Sequence, residues 1–199
     1  MKSIFKKQMI GKLHGVTCLF ACILMNSCTM QEQEFGGESV NNYPNNHKLF
    51  EQYMQPYEKE PYTVMQVNRG DKKNDTTYLP VSKVNWQEWN QPFLDADISK
   101  KELDKHYSIS VTSDTISASL TLVFTSLNPE NLTQKISITR STAGDVVKNV
   151  YMETRDLGFL SSKEYKISFI PAKSIQIQER IKKPFSSMKS RIRTLYFLN

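Results

Sequence analysis

From Tyr107 to the C-terminus the side chains alternate between apolar and polar with a period of two, and this limits the fold more than any other feature of the chain. Tyr107, Ile109 and Val111 face Ser108, Ser110 and Thr112. Ile116, Ala118, Leu120, Leu122 and Phe124 then alternate with Ser117, Ser119, Thr121 and Thr125. Successive residues of a strand point to opposite faces, so such runs have one dry and one wet side. Further runs lie at Lys135 to Arg140, Val146 to Thr154, Tyr165 to Ile170, Ser174 to Ile181 and Arg191 to Leu198. Turn signals such as Asn128-Pro129 and Ala143-Gly144-Asp145 separate them. Short strands with short connections predict an antiparallel meander rather than a parallel sheet.

Ahead of this region the period is helical. Leu49, Phe50, Tyr53, Met54 and Tyr57 recur at helical spacing, with Asn46 expected as the cap and Pro56 as the stop. Tyr62 to Val67 and Thr76 to Val81 read as a hairpin around a polar loop, 68–75. From Asn85 to His106, the pairs Asn85 with Glu88 and Ser99 with Glu102 are spaced as capping boxes, which predicts two short helices joined near Asp95 to Asp97. Trp86, Trp89 and Phe93 share one face of the first. An aromatic stripe of this kind is core rather than a platform for stacking bases or sugars. The expected fold is α+β, a curved antiparallel sheet with two helical segments packed on one face.

The first 27 residues have a different character. Lys2, Lys6, Lys7 and Lys12 precede an apolar run from Val16 to Met25, too short to span a bilayer and suited to the core of a signal peptide. The run closes on Met25-Asn26-Ser27-Cys28, which resembles the lipobox of bacterial lipoproteins. That resemblance implies cleavage after Ser27 and acylation of Cys28, palmitate included, so that Cys28 is the site of lipid attachment. The alternative is an ordinary secretory signal cut near Ala21, which leaves a free thiol. Residues 28–45 are polar and turn-rich and read as a flexible tether, with 46–199 as a single globular domain. Thr29 rather than aspartate after the cysteine resembles lipoproteins sent to the outer membrane, and the glutamates at 32, 34 and 38 resemble the acidic stretch of some surface-exported ones.

Removal of this leader changes the charge argument. Four of the 26 basic residues and none of the 20 acids lie in it, which leaves 22 against 20 and a net charge of about +2 in place of +6. A nucleic-acid partner loses its support in composition. Cys18 and Cys22 leave with the leader, and an acylated Cys28 cannot act as nucleophile, ligand or disulfide partner.

Motifs that carry chemistry are sparse. Arg69-Gly70-Asp71 matches a tripeptide of some integrin ligands, and Asp71, Asn74 and Asp75 are oxygen donors, yet the spacing does not fit a calcium loop and a hairpin turn accounts for all of it. Asp95 and Asp97 project about 200° apart on a helix and cannot flank one glycosidic bond. His47 and His106 have no partner cluster, and no nucleophile elbow, zinc-binding helix or phosphate loop is present. No catalytic residue, metal ligand or cofactor is expected. The segment from Arg180 to Arg193 is basic without an acid, and at strand period Lys189, Arg191 and Arg193 share a face suited to an anionic surface. A solvated sheet face with edge-protecting lysines explains the same residues.

Phe50-Glu51-Gln52, a hairpin, Asn85-Trp86-Gln87-Glu88-Trp89, Phe93 through Asp97-Ile98-Ser99-Lys100, Tyr107 and Glu164-Tyr165-Lys166-Ile167 together resemble a set of small bacterial envelope lipoproteins of no established activity, over most of residues 48–182. Ser99 stands where that set commonly has asparagine, and no proline follows Lys100. The resemblance implies an envelope location and a fold, not a reaction. Three functions fit the chain: a non-catalytic module binding an envelope protein, glycan or lipid at the outer membrane, on its periplasmic or cell-surface side; a carrier or acceptor of an apolar ligand in a half-barrel; and, with the least support, a hydrolase built from scattered acids.

Overall fold

A computed structural model describes residues 45–198, except 59–61, 71–73, 100–104 and 145. Val40–Asn199 forms one compact unit. The sheet, both helices and the buried core of the described residues all lie inside it. The leader, Cys28, the tether up to residue 44 and Asp71 lie outside the described residues.

Helix α1, Asn46–Glu58, is capped one residue earlier than its sequence suggests. The Asn45 side-chain oxygen accepts the Lys48 N–H at 2.8 Å, while Asn46 is fully buried and donates its amide to the Ala96 carbonyl at 2.8 Å. Nor does Pro56 stop the helix, which runs two residues further to Glu58. A proline so close to the end deletes a single backbone bond and leaves the earlier turns intact.

Strands β1, Thr63–Gly70, and β2, Asn74–Pro80, form the expected hairpin, paired from Thr63 with Pro80 to Arg69 with Asn74. A short 3-10 turn, Val81–Lys83, leads to helix α2, Trp86–Asp95. The capping box at its start is not formed. Asn85 makes no side-chain cap, and the Glu88 carboxylate reaches instead to Arg193 on the sheet. The chain leaves the helix at Ala96, and Asp97 accepts the Ser99 N–H and hydroxyl, both at 3.0 Å. Most of the second helix expected here, 100–104, lies outside the described residues.

Seven strands follow: β3, Tyr107–Asp114; β4, Ser119–Ser126; β5, Thr133–Ser141; β6, Val147–Gly158; β7, Ser161–Ile170; β8, Ser174–Lys182; and β9, Lys189–Leu198. They pair in sequence as an antiparallel meander, and β1 docks on β9, giving one open sheet ordered β2-β1-β9-β8-β7-β6-β5-β4-β3. Among the described residues, two helices beside nine strands make the fold mostly sheet, with the helical share smaller than the α+β expectation implied. The link from β2 through α2 to β3 joins opposite edges, so α2 must cross the sheet.

The buried apolar side chains at the centre of the sheet lie on the face that the helices cover. Val64 stands opposite Phe197, Ile175 opposite Leu195, Ile167 opposite both Ile177 and Met152, and Ile138 opposite Val150. Phe93 joins them to the helices, its ring 5.1 Å from Phe50 and 6.0 Å from Phe169. Nine strands at about 4.8 Å would span roughly 38 Å if flat, against about 20 Å for two helices side by side. A core that runs from Val64 on β1 to Phe124 on β4 therefore requires the sheet to curl around them.

Edge strand β3 departs from its expected pattern. Ile109 and Val111 are exposed, and only Tyr107 is buried, donating its hydroxyl to the Thr133 carbonyl at 2.9 Å. Neither α1 nor α2 packs broadly on this edge. Ile116, expected on the dry face of β4, is 98% exposed in the turn before it. Asp114 holds that turn by accepting the Ile116 and Ser117 N–H groups at 2.9 and 3.3 Å and the Ser117 hydroxyl at 2.6 Å.

Candidate functional site

Along each central strand the inner face changes from apolar to polar. On β7 it runs Phe169, Ile167, Tyr165, Lys163; on β8, Ile175, Ile177, Glu179; on β6, Val150, Met152, Thr154, Asp156; on β9, Phe197, Leu195, Arg193. The register aligns the changes, with Thr154 and Glu179 both opposite Tyr165 and Asp156 opposite Lys163. The helices fill the apolar half. Over the polar half, α2 and the sheet enclose a cleft of about 550 Å³, which also takes Asn85, Gln87, Gln91 and Asp95 from the helix side.

Several of these groups are already held in place. The Tyr165 hydroxyl donates to Glu179 Oε1 at 2.9 Å. Burial, reinforced by that carboxylate, pushes the Tyr165 pKa up to about 12. Gln91 donates to Asp95 at 2.8 Å. Arg193, with only 11% of its side chain exposed, pairs with Glu88 and lies 5.3 Å from the centre of the Trp89 ring, a cation–π contact. Side chains fixed by neighbours lose little freedom when a ligand arrives.

The lining has a definite chemical bias. Glu88, Asp95, Asp156 and Glu179 supply four carboxylates against two cations, Lys163 and Arg193, and Arg193 is already paired. Amides and hydroxyls from Asn85, Gln87, Gln91, Thr154 and Tyr165 make up most of the rest. An anion gains nothing here, whereas a neutral polyhydroxy compound meets donors and acceptors in fixed directions. Among the described residues no group of three or more His, Cys, Asp and Glu is placed to hold a metal ion.

The residues singled out from sequence are distributed as follows. Lys189, Arg191 and Arg193 do share the inner face of β9, opposite Ile181, Glu179 and Ile177. Strand β9 lies between β1 and β8, so this face does not protect an edge. Arg193 is turned into the cleft wall, while Lys189 and Arg191 remain exposed near the start of the strand. Asp95, the last residue of α2, lines the cleft, and Asp97, beyond the helix, does not. His106 is exposed.

No protein-family model matches the sequence, nor does any curated protein sequence. The structure of the S-type phycobiliprotein lyase CPES from Guillardia theta aligns over 81% of this chain and 96% of its own, at 5% identity and a TM-score of 0.24. A superposition that poor carries no argument. The cleft must speak for itself. Sequence reasoning passed over Tyr165, Glu179, Thr154 and Glu88 as a group, although one signal was present. Inward positions pass from Ile175 and Ile177 to Glu179, and from Phe169 and Ile167 to Tyr165.

Proposed function

We propose that the chain is a lipid-anchored, non-catalytic binding module of the bacterial cell envelope, and that its cleft takes a neutral polyhydroxylated ligand, a saccharide. The cleft carries this reading: about 550 Å³ lined by preset amides, hydroxyls and carboxylates, with the Tyr165–Glu179 pair on its floor. Planar amides and carboxylates match vicinal hydroxyls, and the excess of acids disfavours anionic ligands. The anchor at Cys28 and an outer-membrane address follow from the leader and belong to the same proposal.

Isothermal titration of a panel of neutral oligosaccharides tests it. One or more should bind without being cleaved, with Tyr165→Phe and Gln91→Ala each lowering affinity about tenfold, the loss of a hydrogen bond in a desolvated site. Failure of every neutral saccharide to shift amide resonances lining the cleft overturns the reading.

The open sheet with helices on its apolar half also suits a carrier of an apolar ligand. Such a ligand has to displace Phe50, Trp89 and Phe93, which now fill that half. Native mass spectrometry separates the two readings, because a carrier retains co-purifying lipid and a saccharide module does not.

A further inference from the structure

The hairpins β6–β7 and β8–β9 end side by side, with Ser162 opposite Lys182, and their tips line one shallow hollow. Phe159 and Phe185 are fully exposed at these tips, and Leu157, Leu160 and Met188 are largely so. Among the described residues, Ile116 and Val146 are the comparably bare apolar side chains in the turns at the opposite end of the sheet. Apolar side chains on protruding turns bury nothing within the fold. Phe185 also has φ at 58°, a left-handed conformation for which glycine or asparagine is the low-strain choice. The turn accepts strain, as the turns at Ala118 and Ala172 do, and here it holds an aromatic ring away from the protein.

The charge around the tips points to what they meet. Residues 181–191 contain Lys182, Lys183, Lys189 and Arg191 and no acid, all four exposed. Lys163 lies opposite Ile181 on the adjoining strand, with Asp156 opposite Lys163 as the acid there. Bare aromatic rings projecting from a ring of lysines suit the boundary between anionic headgroups and acyl chains, where the rings sink and the lysine stems extend to phosphate. Narrow tips offer too little area for the broad, flat contact that a stable protein partner needs.

We infer that the two hairpin tips form an interfacial docking site for an anionic lipid bilayer. This site is separate from the proposed Cys28 anchor and adjoins the cleft, whose lining includes Lys163. It sets the polar end of the sheet, and with it the cleft, toward the membrane surface.

Vesicle flotation of the Val40–Asn199 polypeptide tests the site without a leader or acyl chain, because that unit contains the packing that folds it. It should float with vesicles of equal parts phosphatidylcholine and phosphatidylglycerol, and not with phosphatidylcholine alone. Phe159→Ser combined with Phe185→Ser should reduce the bound fraction about tenfold or more. Lys182→Ser and Lys183→Ser should each lower partitioning about fivefold and weaken its salt dependence. Unchanged melting curves in these exposed-site variants confirm that folding is not the cause. The inference is overturned if the parent does not float with anionic vesicles, if the phenylalanine variant floats as well as the parent, or if neutral vesicles bind equally. Sedimentation that shows the parent dimerising through Phe159 and Phe185, with no uptake on vesicles, assigns the tips to self-association and likewise overturns it.

Discussion

Tyr165 shows how a single side chain takes its properties from neighbours that are distant in sequence. Its ring continues the inner face of β7 past Ile167, and its hydroxyl meets Glu179, fourteen residues away, because the β7–β8 register sets the two opposite each other. Burial and the carboxylate both favour the protonated phenol, raising its pKa from 10.0 to about 12. Since the folded value exceeds the unfolded one, the stabilisation is complete below pH 10 and is lost as pH climbs through 12. Tyr151, beside Glu153, is raised to about 12 for the same reasons and acts in the same window. Thermal midpoints should therefore fall steeply between pH 10 and pH 12, less so in Tyr165→Phe, and the difference in tyrosinate absorbance between parent and variant should titrate near 12. A difference titration centred at the ordinary value of 10.0 contradicts this. Arg193 was legible as one member of a basic stripe. Its partner was not, because Glu88 lies 105 residues away on a helix whose position depends on the whole sheet.

At the level of elements, the helix start is the instructive case. Two adjacent asparagines precede the first apolar turn, and either satisfies the rule for a cap. Packing chooses between them: Asn46 is drawn inward to the Ala96 carbonyl, tying α1 to the end of α2, and Asn45 is left to cap. Asn45→Ala should cost about 1 kcal/mol, an ordinary cap loss. Asn46→Ala should cost about 1–3 kcal/mol, because a buried carbonyl loses its donor. Urea unfolding monitored by circular dichroism measures both, and equal costs would contradict the division of roles. The strands were readable because alternation is local. Their ends were less so, as at Ile116, where an apolar residue continues the alternation into a turn. The 12-residue β6 carries a bulge against β5 that no alternation rule reveals.

For the whole molecule, the proposed anchor and the fold are tested separately. Cys28→Ser in the secreted chain should move it from the membrane fraction to the soluble one at high salt, when charge attraction through the hairpin tips is screened; continued membrane association there argues against acylation as the anchor. Among the described residues no helix is long and apolar enough to cross a membrane. On the outer face of the sheet Lys166 lies 3.5 Å from Glu153 and Arg155 3.3 Å from Glu164, with Lys135 and Arg180 beside them. Strand identity, the antiparallel meander and the aromatic core stripe could all be read from the order of residues, because pleat period and helix period are properties of neighbouring positions. The docking of β1 on β9, the passage of α2 across the sheet, and the cleft left beside it could not. Those follow from burying the most apolar half of the sheet under the described helices, a competition among residues a hundred positions apart that leaves the polar half open.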